Sequence, residues 1–395
     1  MKDVSKIPVR LLATTPRGEV DLGEKSKATR LPAGPQGAEK EAKLRYGPYL
    51  GAVHYLLLRN NYQKILEALA DRLGRGVTLE EVEAIEIRTE KHGAFYHVAR
   101  AELSVSGEIV SFAVNVAVSD TAKAELERDF RLLRSLTNRY NYKFLPKIYF
   151  KGAGIYREAG KPVRWLHMFV AEWFRDYHEF HLHRDQADGS SRMLLWDLDR
   201  GSRYLSEHQC VALYRLGAKI LTLYYNWNNF KQIYPWHHAA GYFVLREREG
   251  VVDLRLVTVR DYAAVVDFTS GKKAGKLLAL VLFFLHLTIR MRIDRLDGVG
   301  DVVWVEDYCL EGVVPGFFEG LTEGQGGSRR GMPSPLEIHA LLQNFTGEEW
   351  LQFLVELLAT YDFSQEELSL IRDHGDGHID RLQQVLAAMA FDGIT

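Results

Sequence analysis

The chain has little of several things that would settle its class at once. With only two cysteines in 395 residues, Cys210 and Cys309, it cannot hold a disulfide framework, and their spacing is not that of a metal site. No apolar run reaches the ~20 residues that a membrane span requires. The longest, Leu277–Ile289, contains His286 and lies between Lys276 and Arg290, so it reads as a helix buried all round and no membrane contact is expected. Charge of one sign is not in excess either: the net charge of -2 gives no global pull toward nucleic acid or an anionic surface. One basic and aromatic patch, Arg139-Tyr-Asn-Tyr-Lys143, is too short to read as a nucleic-acid site. Neither a repeat nor a heptad run is present. The start, Met1-Lys-Asp-Val-Ser, lacks the apolar stretch of an export signal, and a cytoplasmic location is the expectation.

What is there is an ordinary globular composition, 47% hydrophobic and 26% charged, over a length that exceeds one compact core. Residues 1–45 carry Pro, Gly, Lys and Glu without periodicity and read as a flexible N-terminal arm. Residues 46–80 form a helical extension, on the spacing of Tyr55, Leu56, Ile65, Leu66 and Leu69. It ends at a capping-box candidate, Thr78-Leu-Glu-Glu81. Residues 81–173 read as a small β-rich lobe of three strands, a helix over Ala122–Leu136, and two strands. The remainder, 174–395, reads as a helical large lobe with a C-terminal helical extension. It is interrupted by two strands about the Arg246–Gly250 turn and by a Gly- and Ser-rich surface loop over Gly312–Pro335.

The most informative stretch is Tyr234-Pro-Trp-His-His-Ala-Ala-Gly-Tyr-Phe-Val-Leu245, followed by a charged turn and Leu254-Arg-Leu-Val-Thr-Val-Arg-Asp261. A loop of histidines and small residues enters a strand, turns, and returns in a second strand that ends in a carboxylate. With the element order before it, this resembles the protein-kinase-like fold. The nearest branch is that of aminoglycoside phosphotransferases and lipopolysaccharide-core kinases, over about residues 80–310. The resemblance implies a two-lobed α+β fold, a nucleotide partner, and ATP with Mg²⁺ as cofactors. Phosphoryl transfer in that fold uses a glycine loop, a lysine on the third strand paired with a helix glutamate, a catalytic aspartate and two metal ligands.

Carried over residue by residue, the resemblance places Gly93 in the glycine loop as its one glycine. Asn115 stands at the lysine position of Phe112-Ala-Val-Asn115, where an amide supplies no charge. Lys123 is a substitute cation, and Glu125 or Glu127 the ion-pairing glutamate. Glu172 lies in the hinge, Met168-Phe-Val-Ala-Glu-Trp-Phe174, whose backbone would meet the adenine. His237 falls on the catalytic aspartate, with His238 beside it, and Tyr242 falls on the metal-binding asparagine. A phenol with a pKa near ~10 is a poor Mg²⁺ ligand at neutral pH, whereas a histidine can act as a base. Asp261 is kept as the metal ligand, with Arg260 beside it to pair with phosphate or with a neighbouring acid.

Two further clusters carry ligand-type side chains. His178, His181 and His183 can be read as metal ligands or as polar residues of a loop. Asp373-His-Gly-Asp-Gly-His-Ile-Asp380 reads as a break between two helices, with Gly375 and Gly377 in the turn. Taken together, the residues imply a kinase-like protein with a degenerate nucleotide site, pseudokinase-like or an atypical phosphotransferase. Two alternatives stay open: an active ATP-dependent small-molecule kinase using His237 and Asp261, and a non-catalytic scaffold that holds a protein partner through the N-terminal arm or the C-terminal helices.

Overall fold

The structure is a computed structural model that describes residues 7–15, 18–31, 44–92, 96–185, 189–197, 200–237, 241–265, 273–324 and 329–390. The chain divides into two compact units, residues 1–138 with 146–175 and residues 139–145 with 176–395.

Period-two alternation builds the first unit. Its elements are β1 (Val9–Thr15), β2 (Gly18–Asp21), α1 (Glu24–Lys27), α2 (Tyr46–Leu58), α3 (Gln63–Leu73), β3 (Val82–His92), β4 (Tyr96–Val105), β5 (Glu108–Ala117), α4 (Asp120–Arg139), β6 (Ile148–Tyr156) and β7 (Arg164–Glu172). The seven strands form one sheet in the order β2-β1-β3-β4-β5-β7-β6. All neighbours are antiparallel except β1 with β3. Ile85, Ile87, Ala99, Ala101, Phe112, Val114 and Met168 share one face. They are buried with Tyr49, Leu50 and Val53 of α2 and Ile65 and Leu69 of α3. Contact there is close: a Cβ added to Gly154 on β6 would overlap the backbone of Ala52 on α2. The opposite face holds α4, where Phe130 lies 5.9 Å from Phe169 of β7. Ahead of β3, Thr78 and Glu81 do form a capping box, around a single 3-10 turn.

Residues 9–15 and 18–21 depart from the reading of a flexible arm. They form a hairpin that extends the sheet, with Leu12 and Ala13 buried. The edge of β3 supplies the backbone partners, Val9 to Ala13 running alongside Ile85 to Thr89. Strand formation here depends on that distant edge, which local composition does not register.

The second unit contains β8 (Glu179–Arg184), β9 (Ser191–Trp196), β10 (Arg203–Tyr204), α5 (Glu207–Leu223), β11 (Lys231–Ile233), β12 (Phe243–Arg248), β13 (Val251–Leu256), β14 (Tyr262–Ala264), α6 (Lys273–Met291), β15 (Ile293–Arg295), β16 (Val302–Trp304), α7 (Tyr308–Glu323), α8 (Pro335–Gln343), α9 (Gly347–Thr360) and α10 (Gln365–Ala388). Helix α6 carries the apolar run and is buried along Ala279–Met291 apart from Arg290. No described helix is long and apolar enough to cross a membrane.

Of the Gly312–Pro335 stretch read as a surface loop, the part up to Glu323 is helical, and so is the segment read as a break between two helices. Gly312, Gly316 and Gly320 lie within α7, one below another at four-residue spacing, and let it settle onto the backbone of α5. The segment Asp373–Asp380 lies inside α10, where buried His378 and Ile379 hold the helix continuous and Gly375 sits against Leu354 of α9. Burial outweighs the intrinsic cost of glycine in both. Gly377, by contrast, is exposed with nothing near its absent Cβ. Gly377→Ala is therefore expected to stabilise the chain by about 1 kcal/mol, read as a higher denaturant midpoint at unchanged slope.

The first unit is thus a seven-stranded sheet with helices on both faces and the second a mostly helical unit with short strand pairs, together a mixed α+β fold.

Candidate functional site

In the first unit the relevant surface is the sheet face that carries α4. Asn115 on β5 lies between Val98 of β4 and Phe169 of β7. Since side chains alternate along a strand, the face bearing Asn115 also displays Ala113 and Ser111, Arg100 and Glu102 of β4, and Glu86, Arg88 and Glu90 of β3. Register sets like charges opposite one another, Arg88 against Arg100 and Glu86 against Glu102. Such pairs repel, and the side chains resolve this by bonding diagonally and along their own strand. Arg88 reaches Glu86 at 3.0 Å and Glu102 at 3.3 Å; Arg100 reaches Glu90 at 2.7 Å and Glu102 at 3.3 Å. Arg10 of β1 adds a 2.7 Å pair to Glu86. Arg88 is only 5% exposed, and its burial together with the nearby Arg100 lowers its pKa from the usual guanidinium value. Arg100 also lies over the Trp173 ring at 5.1 Å.

The helix acid that meets this face is neither Glu125 nor Glu127. Glu125 is 3.8 Å from Arg128 one turn on, and Glu127 pairs at 2.6 Å with Lys151 of β6. Lys123 is exposed, and its charge acts on His167, which burial already holds below its ordinary pKa. The buried acid is Asp129, 1% exposed, which accepts a hydrogen bond from the Tyr96 hydroxyl. Its position in the stripe of Leu126, Phe130 and Leu133 is the signal that could have found it. Glu172 ties the end of β7 in place: its carboxylate accepts from Arg72 at 2.6 Å and from the Lys147 backbone N–H at 3.3 Å.

In the second unit, β11 leads into the loop that begins at Tyr234. The loop is stitched at both ends to the segment after β13. Tyr234 N–H donates to the Asp261 carbonyl at 3.2 Å, and Val257 N–H donates to the Tyr242 carbonyl at 2.8 Å. Strand β14 returns to pair with β11, Tyr262 opposite Ile233, and this sets Asp261 beside the loop entrance. Trp236 is buried, edge-on to His286 of α6 at 5.8 Å. His286 is itself buried and stacked on Tyr361 at 3.9 Å, and burial keeps its pKa well below the ordinary histidine value. His237 points its Nε2 toward Asp294 Oδ1, 3.8 Å away on β15, and the Asp294 side chain is fully buried. Gly93 and His238 lie outside the described residues.

Asp261 and Tyr242 are a poor fit to Mg²⁺. Asp261 Oδ1 is taken by the Tyr262 N–H at 2.7 Å, and Tyr242, beneath the Arg260 guanidinium at 5.8 Å, offers a phenol. Hard divalent cations need several oxygen ligands, usually carboxylates, and among the described residues no group of three or more His, Cys, Asp or Glu side chains could hold a metal. The three histidines at 178–183 illustrate this. His181 and His183 lie in β8, not in a loop, and each has its own neighbour: Asp197 at 3.7 Å from His178, Trp196 at 4.6 Å from His181, and Asp297 at 2.6 Å from His183.

No family model and no curated protein matches the chain. Among solved structures it is similar to choline kinase from Cryptosporidium parvum Iowa II. That match has 12% identity and a TM-score of 0.30, and covers 79% of this chain and 95% of that one. It is also similar to a structure described as a fructosamine-3-kinase from Haemophilus somnus 129PT, at 8% identity and a TM-score of 0.22 over 82% and 95%. Likenesses this faint bear on neither substrate nor mechanism.

Proposed function

We propose that this kinase-like protein is pseudokinase-like and does not transfer phosphate by the chemistry of the family it resembles. The observation that supports this most is the charge arrangement on the Asn115 face of the first unit. A triphosphate needs uncompensated cations and bare N–H groups. On this face Arg10, Arg88 and Arg100 are matched by Glu86, Glu90 and Glu102. Asn115 adds no charge, and the buried helix acid serves a tyrosine. Among the described residues of the second unit, the two metal positions that the resemblance implies carry Asp261 and the phenol of Tyr242, a poor pair for Mg²⁺.

The test is a thermal shift of the full chain with ATP and Mg²⁺, alongside an assay of γ-phosphate release. At about 1 mM nucleotide the midpoint is expected to rise by no more than about 1 °C, because a ligand below its Kd contributes under ~0.4 kcal/mol. Release is expected to match the protein-free blank. Turnover that disappears in Asp261→Ala would overturn the proposal.

One feature favours a second reading, an atypical phosphotransferase. His237 with the buried Asp294 behind it is the arrangement of a general base, the carboxylate favouring the protonated ring after proton transfer. If γ-phosphate release is found, this reading expects His237→Asn and Asp294→Asn to abolish it alike, and expects the rate to fall as pH drops through the histidine pKa. Equal activity in wild type and His237→Asn removes the dyad from the chemistry.

A further inference from the structure

Two histidines lie in the core of the second unit where its C-terminal helices meet α6. His286, on α6, is 1% exposed. Its ring stacks on Tyr361, just past α9, and also meets Tyr234 at 5.4 Å, Trp236 at 5.8 Å and Phe363 at 6.1 Å. Neither of its ring nitrogens has a hydrogen-bond partner among the described residues. His378, on α10 and equally buried, lies edge-on to Trp304 of β16 at 5.8 Å. Its Nε2 is 3.1 Å from the hydroxyl of Thr288, two residues beyond His286 on α6, and its Nδ1 has no partner.

A neutral imidazole is tolerated in such surroundings and an imidazolium is not. The charges that act on the two rings add to this, since both are cations: Arg290 of α6 on His286, and Arg292, just past α6, on His378. Each arginine already has its acid, Glu367 of α10 at 2.7 Å from Arg290 and Asp307 at 2.9 Å from Arg292. The other titratable groups at these contacts are few. They are the phenols of Tyr234 and Tyr361, which burial pushes up, and His374 of α10, stacked on Trp304 at 5.1 Å. Arg381 of α10 is paired with Asp307 and with Glu311 of α7. Among the described residues no carboxylate is paired with either buried ring.

We infer that these two histidines make the docking of α9 and α10 on α6 an acid-sensitive latch: a proton taken up at each releases the two helices together, leaves α5 and α7 in place, and frees the ring contacts that support Tyr234 and Trp236 ahead of His237. The latch is independent of whether any phosphate is transferred. Burial and Arg290 hold the His286 pKa well below its ordinary value, and burial and Arg292 hold that of His378 at about 3. Both rings therefore bind fewer protons docked than released. The docked state keeps its full stability above the ordinary histidine pKa of about 6.5 and loses it as pH falls below that value. From pH 6 to pH 5 each histidine should raise the opening constant about eightfold, and the pair roughly sixtyfold. Released carboxylates, with pKa values near ~4, contribute little in that window.

Hydrogen exchange of the full chain from pH 7 to pH 5, followed peptide by peptide by mass spectrometry and corrected for the intrinsic pH dependence of exchange, reads that constant. Amides of residues 347–388 are expected to show the roughly sixtyfold rise, and those of α5 to show none. His286→Phe keeps a ring against Tyr361, and His378→Gln keeps a partner for the Thr288 hydroxyl. Either alone is expected to leave about an eightfold rise, and the two together none. Glu367, Asp307 and Glu311 are untouched in the double variant, so a rise that persists there belongs to other groups and overturns the inference. An equal rise in α5 and in α9 and α10 also overturns it, because the helices then do not open as a unit. Should either variant fail to fold at pH 7, the wild type decides: a rise below about tenfold over residues 347–388 overturns the inference, since one proton gives no more.

Discussion

Gly316→Ala is expected to destabilise the chain by about 3 kcal/mol, lowering the midpoint of thermal unfolding by about 6 °C. A methyl at this position would meet the backbone carbonyl of Arg215 on α5, with the Arg215 Cα also only 2.9 Å away. A flexible side chain could turn aside, but a helix backbone cannot. The flanking positions offer no relief. Gly312 faces the Val211 carbonyl in the same manner, and a Cβ on Gly320 would lie 2.6 Å from Thr222 Cβ and 2.8 Å from the Lys219 carbonyl. Separating α7 from α5 would also stretch the pairs Arg215–Glu319 and Lys219–Glu323. Intrinsic helix propensity pulls the other way, since alanine favours a helix over glycine by about 1 kcal/mol. The net loss therefore tests contact against propensity at one site, and exposed Gly377 supplies the opposite sign for the identical change. Equal midpoints for wild type and Gly316→Ala in urea would show that the two helices do not meet as described.

Arg88→Ala should cost about 3 kcal/mol, the scale for removing one partner of a buried ion pair. The cluster is neutral as it stands, with three arginines and three glutamates. Taking out the least exposed cation leaves an uncompensated negative charge among groups that water reaches poorly. Glu86 keeps Arg10 at 2.7 Å and Glu102 keeps Arg100 at 3.3 Å, and both acids retain some solvent contact, which sets the upper bound on the loss. Neutralising an acid in the same variant should recover much of it: Arg88→Met with Glu102→Gln is expected to be at least about 1 kcal/mol more stable than Arg88→Ala. A double-mutant cycle by urea denaturation isolates the coupling. Additive effects of the two substitutions would mean that the charges do not act as a unit.

The succession of β3, β4, β5, α4, β6 and β7 was legible because the alternation is strong and the turns are marked, as at Gly107. The helix α4 was legible from Leu126, Phe130 and Leu133. Asp129 was not, because a carboxylate inside an apolar stripe reads as an interruption until the hydroxyl that meets it, Tyr96, is seen across thirty-odd residues of chain. The charges of β3 and β4 had the same difficulty. Read along the strand, Glu86, Arg88, Glu90, Arg100 and Glu102 are solvated polar positions; only the register shows them as one neutral cluster. Glycine misled twice, in α7 and α10, since its signal as a breaker is local and its use in close contact is not. In the loop at Tyr234, spacing located His237 and Asp261 near connected backbone, but Asp294, nearly sixty residues on, has no motif to announce it.

The N-terminal hairpin governs what the sheet offers to other chains. Without β1, the outermost strand on that side would be β3, eleven residues of extended backbone with unpaired N–H and C=O groups. An exposed edge of that length is a template for strand addition and self-association. With the hairpin in place the outermost strand is β2, four residues long and carrying the exposed charge of Asp21. The segment read in the sequence as a flexible arm thus acts as a guard against aggregation.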